Sequence, residues 1–364
     1  MYKRLGLLSV LLVILFILIN EYRQLPSEAV VGYELSTKQP SLHMDYTSRA
    51  IPSFLEQDEM NPDAERNEAV PFSSNIGSLM GLNTEEIVDA LGDPKRIDPS
   101  AFGYESWIYN NVEAGYLTIG VKDDQAATVV AQGSPIHAFL GEGELSFEVL
   151  NRMFLFNETV PLETETGLFT FQLSEQDLQM RPIAQVGDYY IQFYMDIHTN
   201  TLASVRLMTD EVLLNQRPYS FRYTNDLPEK VSLSQSDMEK IDEANEKQIF
   251  ELTNAIRTSY GLKPFTWSDD VAQVAYNHSK DMHDEEYFDH VSPIHGTLLD
   301  RFHAGHVSFA EAGENIAFNY VDGIAAVGGW LNSDSHRVVL LHEEFTDLGV
   351  GVHDSYYTQN FSVE

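Results

Sequence analysis

Nine of the twelve histidines in this 364-residue chain lie between His278 and His353, and the chain has no cysteine. Without thiolates, imidazole and carboxylate are the groups left to bind a metal or to move a proton near neutral pH. The missing cysteine also excludes disulfides, thiolate zinc sites, iron–sulfur clusters and cysteine nucleophiles. Clustering alone does not define a site, because some of these histidines must simply lie on the surface.

Motifs with well-understood mechanics fail here. His342-Glu343-Glu344-Phe345-Thr346 opens like a zinc-protease helix, but Thr stands where the second His is required one turn on. There is no Gly-x-Ser-x-Gly nucleophile elbow and no phosphate-binding Gly-rich loop. Gly349-x-Gly351 precedes no helix signal and reads as a strand feature. Ser335-His336 and His290-Val291-Ser292 are too close in sequence to read as nucleophile and base, since adjacent side chains rarely point together.

The elements that must position this chemistry are legible from periodicity. Ile249, Leu252, Ile256 and Tyr260 share one helical face that stops at Gly261, and Val271, Val274, Ala275, His278 and Met282 form another. Leu348, Val350 and Val352 alternate with Gly349, Gly351 and His353. Tyr357, Gln359, Phe361 and Val363 alternate after a turn at Asp354-Ser355, which predicts a terminal hairpin.

Upstream, Asn83 followed by Glu86 predicts a capped helix ended by Gly92-Asp93-Pro94. Strand-like runs follow at 106–109, 116–121 and 128–131. Gly143–Leu150 echoes the Gly81–Val88 segment, and further strand-like runs cover 168–173, 189–196 and 202–208. The pattern predicts a separate N-terminal α+β domain with antiparallel strands over 76–223, and a polar linker over 224–240. Residues 21–75 carry five prolines and no sustained apolar period, and read as a flexible tether.

Lys3 and Arg4 precede an apolar run from Leu5 to Ile19, an export signal. That run gives about 22 Å of helix against a hydrocarbon core of roughly 30 Å. No small-x-small cleavage site follows directly, so the reading favours an uncleaved signal anchor over 1–20, with a cleaved signal peptide as the alternative. The positive flank would stay inside, placing the bulk of a single-pass cell-membrane protein outside the cytoplasm. Secretion is the alternative localisation. With 56 acidic residues against 22 Lys and Arg, the formal charge is −34, which repels polyanions and excludes nucleic acid as the expected partner.

Several motifs occur in a telling order: Asn254-x-x-Arg257, Gly261-Leu-Lys-Pro-Phe-Thr-Trp267, Tyr287-Phe-Asp-His290-Val-Ser-Pro293, Ala312-Gly-Glu314-Asn-Ile-Ala317, Trp330-Leu-Asn-Ser-Asp-Ser-His336-Arg337 and Leu348-Gly-Val-Gly-Val352. Together they resemble the bacterial branch of the CAP superfamily, also called SCP-like extracellular or pathogenesis-related protein domains, over 241–364. Leu91-Gly-Asp-Pro-Lys-Arg96 and Phe102–Asn110 resemble the CAP-associated domain that precedes such modules in Gram-positive bacilli.

The resemblance implies a C-terminal α-β-α sandwich with a small antiparallel sheet. It also implies a ligand-binding cleft whose positions map to His290, Glu314 and His336, with Ser333 where animal and plant relatives carry a second Glu. Two imidazoles and a carboxylate can hold a zinc ion and leave a coordination position open. His290 and His336 are therefore the expected ligands for zinc or another divalent cation. Asn315 is expected to hold a loop and Trp330 to lie in the core. The expected function is a membrane-tethered CAP protein that binds a small-molecule, lipid or cell-wall ligand in its cleft, anchored by the N-terminal helix, with no catalytic residue assigned. The alternatives are a metal-assisted extracellular hydrolase or peptidase, and a cell-surface protein-interaction module.

Overall fold

The computed structural model describes residues 75–110, 115–164, 167–224 and 227–363. The predicted anchor at 1–20 and nearly all of the predicted tether lie outside the described residues.

After a 3-10 turn at Ile76–Leu79, helix α1 (Thr84–Leu91) begins at Asn83, whose side chain accepts from Glu86 N while Glu86 accepts from Asn83 N. This reciprocal capping satisfies two donors that the first turn would leave open. Strands β1 (Arg96–Pro99), β2 (Glu105–Ile108), β3 (Gly115–Lys122) and β4 (Gln125–Gly133) follow, then helices α2 (Ser134–Leu140) and α3 (Phe147–Phe154). Ser146 caps α3 as Asn83 caps α1, which is the physical content of the sequence echo. Next come β5 (Thr159–Thr164), β6 (Gly167–Gln172), α4 (Glu175–Met180), β7 (Ile183–Val186), β8 (Tyr189–Asp196), β9 (Thr201–Met208), α5 (Asp210–Gln216) and β10 (Ser220–Tyr223). Seven strands form an antiparallel sheet in the order β1-β2-β3-β4-β9-β8-β7, and β10-β6-β5 form a smaller one.

The C-terminal part comprises α6 (Gln235–Ser259), β11 (Thr266–Trp267), α7 (Asp269–Asp284), α8 (Leu298–Ala304), β12 (Glu311–Phe318), α9 (Gly323–Asn332), α10 (Asp334–Leu340), β13 (Asp347–His353) and β14 (Tyr356–Val363). Its sheet runs β11-β13-β14-β12. The long pairings are antiparallel, and the two-residue β11 joins β13 in parallel. The predicted hairpin turn at Asp354-Ser355 joins β13 to β14.

Strand alternation explains the layering. Leu348, Val350 and Val352 enter a core with Ile249, Leu252, Ile256 and Trp330 on one side of the sheet. Gly349 and Gly351 face the other side, where a Cβ at either would collide with the α7 backbone at Ala272 and Tyr276. Glycine is needed at both positions because the helix lies directly on the strand. The result is the α-β-α arrangement, with α6 and α9 on one face and α7 on the other.

The two parts of the chain are in close contact. Tyr116 of β3 and Val130 of β4 join the core that holds Ile249 and Leu252. Arg206 Nη2 reaches Asp322 Oδ2 at 2.7 Å, and Arg96 Nη1 reaches Glu251 Oε1 at 2.7 Å.

The expectation of a transmembrane helix is corrected at this point. No helix among the described residues is long and apolar enough to cross a membrane. The longest, α6, has the length, but Glu239, Lys240, Glu243, Lys247 and Glu251 make it amphipathic, with one face in the core and one in water. The membrane-tethered function and the membrane partner lose their structural support, and residues 1–20 lie outside the described set.

Candidate functional site

The site is built around one buried carboxylate. Glu314 lies on β12, directly across from Asn360 on β14, and its side chain is only 4% exposed. Burial alone would raise its pKa. The hydrogen bond from His290 and the charge of Arg301 outweigh that and hold it below the usual carboxylate range. Arg301, on α8 and itself buried, bonds Glu314 Oε2 through Nη2. Its Nη1 donates to the carbonyls of His290 at 2.9 Å and Gly296 at 3.1 Å. One guanidinium therefore neutralises the carboxylate and fixes the loop that presents His290. With its amide oriented to satisfy both ends, Asn360 donates Nδ2 to Glu314 Oε2 at 3.0 Å.

His290 Nδ1 lies 2.9 Å from Glu314 Oε1, and its ring is 43% exposed. Because the carboxylate is ionised, Nδ1 carries the proton and Nε2 is the nitrogen left for a ligand. His336 is 2% exposed, with Nδ1 2.8 Å from Ser333 Oγ. Burial, then the neighbouring His290, push its pKa down to about 4, so the ring is neutral at physiological pH. The two rings lie 6.4 Å apart between centroids. His290, Glu314 and His336 are thus brought together from a loop, a strand and a helix. His336 follows the Trp330 helix and lies inside a separate short helix, α10, that begins at Asp334.

Asn315 is fully buried and donates Nδ2 to the His336 carbonyl at 3.2 Å, so it holds the helix that carries His336. Trp330 is fully buried and donates Nε1 to Ile316 O at 2.9 Å.

Sequence reasoning missed three members of this network. His278 was read only as part of an apolar helical face. It is fully buried, and its Nε2 has no hydrogen-bond partner and lies 3.9 Å from Glu314 Oε1. Burial pushes its pKa down to about 4 against the attraction of Glu314. A histidine on an otherwise apolar stripe was the available signal. Arg301 and Asn360 gave none, because nothing in their spacing marks them as partners of residue 314.

A second group lies apart from this network. His283, Asp284 and His353 each offer a ligand atom within 4.8 Å of the others, a set able to hold a divalent metal ion.

A small sheet between helix layers, with two histidines meeting over a buried Glu–Arg pair, defines an SCP-like extracellular module behind an antiparallel α+β unit. The model for the cysteine-rich secretory protein family matches residues 250–364, and that for the CAP-associated N-terminal region matches 80–219. The chain is 43% identical over 293 residues to the Bacillus subtilis "Uncharacterized membrane protein YlbC", covering 79% of this chain and 84% of that one. It is 41% identical over 120 residues to "Uncharacterized protein YkwD" of the same organism, covering 32% and 47% respectively. A Bacillus anthracis crystal structure described as an extracellular protein containing a SCP domain shares 38% identity and a TM-score of 0.75, covering 84% of this chain and all of that one. A Staphylococcus aureus cysteine-rich secretory protein shares the fold, with a TM-score of 0.72 at 22% identity over 80% of this chain and 93% of that one.

The chain belongs to the CAP family, in the form that carries a CAP-associated N-terminal region, although it has none of the cysteines of the family's name. The single-pass cell-membrane localisation expected from sequence is corrected on two findings: no helix among the described residues is long and apolar enough to cross a membrane, and the Bacillus anthracis protein is described as extracellular.

Proposed function

We propose that this is an extracellular CAP protein whose cleft captures a polar group of a small-molecule, lipid or cell-wall ligand between His290 and His336. One observation carries the reading: each imidazole commits Nδ1 to a fixed partner, Glu314 or Ser333, and the two ring centroids lie 6.4 Å apart. Polar groups held in place by a buried network are what orient a ligand in a cleft.

The same pair is our proposed cleft site for zinc or another divalent cation, with Glu314 as the carboxylate that orients a ligating histidine. A ring bonded to an ion through one nitrogen has its centroid about 3.2 Å from that ion, so a tetrahedral pair lies about 5.2 Å apart. The observed 6.4 Å means that the rings must close by about 1 Å to share an ion.

A second reading, an extracellular hydrolase, is favoured by the Glu314–His290 contact. A carboxylate holding Nδ1 of an exposed imidazole is the arrangement of an oriented general base.

We also divide the chain into a CAP-associated domain at 76–223, a linker at 224–240 and a CAP domain at 241–364. Support comes from the separate family matches over 80–219 and 250–364.

Histidine-selective NMR with soluble cell-wall fragments, short-chain phospholipid and zinc as separate probes tests the binding reading. His290 and His336 resonances should move with at least one probe, and H290A should abolish the response. No response to any of the three overturns it. Turnover of wall polymer or peptide that is lost in H290A would give the hydrolase reading precedence.

A further inference from the structure

The geometry points to a second metal site, independent of the cleft, in which His283, Asp284 and His353 hold a zinc-class transition ion between the end of α7 and the β13–β14 turn. His283 and Asp284 occupy the last turn of α7, and His353 ends β13. Ligand atoms of all three lie within 4.8 Å of one another.

The two imidazoles meet at right angles, with centroids 4.8 Å apart and an interplanar angle of 86°. With each ring pointing a nitrogen at the ion and a centroid-to-ion distance of about 3.2 Å, that separation would give a nitrogen–metal–nitrogen angle of roughly 97°. This lies between the octahedral and tetrahedral values, so the spacing of these rings suits a shared ion better than that of His290 and His336. Aromatic neighbours hold the rings. Tyr276 meets His353 edge-on at 5.8 Å, and Tyr356 meets His283 edge-on at 6.1 Å.

The donor set selects the ion. Two imidazole nitrogens and one carboxylate oxygen suit zinc and its neighbours, whereas calcium and magnesium require shells of oxygen. The surroundings attract a cation as well. Asp354 Oδ2 lies 3.8 Å from His283 Nε2, and Asp242 Oδ2 accepts from Asp354 N at 3.1 Å. One group opposes binding: Lys280 Nζ bonds Asp284 one helical turn back and must be displaced. His283 Nδ1 also lies 3.0 Å from Asp284 Oδ1, a contact that an ion would replace.

An ion here would join residues 70 positions apart and fasten the hairpin turn to the helix that carries His278. Its effect is therefore a staple on the C-terminal sheet, and it stabilises only the folded state.

Zinc binding to the purified chain, by calorimetry and by metal analysis after dialysis, tests this. All substituted positions at this site are surface-exposed or half-buried, so the fold should survive, checked by circular dichroism. H290A/H336A should still bind one zinc, and adding H353A should weaken that binding by at least roughly tenfold. In the wild-type background, H353A should lower the zinc stoichiometry by one while the His336 resonance still responds to the cleft probes. K280A should tighten binding, and calcium should not compete. Loss of all zinc in folded H290A/H336A, or unchanged zinc binding in H353A, would overturn the site whatever the cleft does.

Discussion

Arg337 Nη1 donates to Asp196 Oδ2 at 2.9 Å, and so ties the residue after His336 to the end of β8, 141 positions upstream. Asp196 is fully buried and also accepts from His198 N at 2.9 Å and from the Tyr260 hydroxyl. Asn332, at the end of α9, reinforces the junction with bonds to Met195 O at 2.7 Å and Ile197 N at 2.9 Å. The short helix that presents His336 is thus held from the N-terminal part of the molecule as well as from its own sheet.

D196N should therefore loosen the cleft from a distance. Arg337 loses its charge partner but is partly solvated, so the expected loss is about 1–3 kcal/mol in urea denaturation. The His336 NMR resonance should shift or broaden while His290, held by Glu314 and Arg301, stays in place. An unchanged His336 signal would show that the junction does not reach the site.

R301M should cost far more, because it leaves Glu314 charged in a site from which water is excluded. Breaking a buried pair on one side costs about 3–5 kcal/mol. R301M/E314M should lose much less than the two single variants added together, since the orphaned charge is gone. A strictly additive double-mutant cycle would rule out the pairing energy claimed here.

Stability should depend on pH in two opposing ways. Burial lowers the folded pKa of His278 and of His336 to about 4, so each contributes stability that is present above about 6.5 and lost as pH falls toward 4. His278 is faced by Glu314, Arg301, Asp281 and His290, and His336 by His290. Asp242 and Glu246 behave in the reverse sense. Burial first, then neighbouring carboxylates, raise both to about 7, so their contribution is fully present below about 4 and lost as pH rises through about 7. The wild type should be nearly flat between these limits. D242N/E246Q should expose the histidine contribution, a rise of up to about 1.4 kcal/mol per pH unit for each ring. Urea midpoints at a series of pH values decide this, and a flat profile in the double variant would refute it.

G351A should fail to fold or lose more than about 3 kcal/mol, because its Cβ would meet the Tyr276 backbone rather than a side chain that can turn aside. V338A on the exposed face of α10 is the matched control and should be neutral. Equal stability of the two variants by circular dichroism melting would contradict the close approach of β13 and α7.

Local rules carried much of the fold. Asn83 with Glu86, the alternation of Leu348–Val352 and the helical period of Ile249–Ile256 each follow from a few adjacent residues, and each element formed as expected. The convergence of His290, Glu314 and His336 was legible only through the family's motif order, because their neighbours in space are 22 to 24 positions apart. Arg301 and Asn360 stayed invisible for a physical reason: their partner is chosen by strand register and helix docking, not by spacing. His278 shows the limit of periodicity, which predicts burial but not that the buried ring abuts a carboxylate. The His283–His353 pair escaped notice because a helix end and a hairpin turn meet only after the sheet is closed.

The register of Glu314 against Asn360 also fixes when the site can exist during synthesis. A nascent chain releases His278, His290, Glu314 and His336 from the ribosome before β14, the strand that pairs with both β12 and β13. Until β14 arrives, the carboxylate and guanidinium have an open sheet edge beside them and every reason to stay hydrated. A message cut short, or a carboxypeptidase that trims back past Tyr356, would therefore leave a product holding all the histidines named here and none of their geometry.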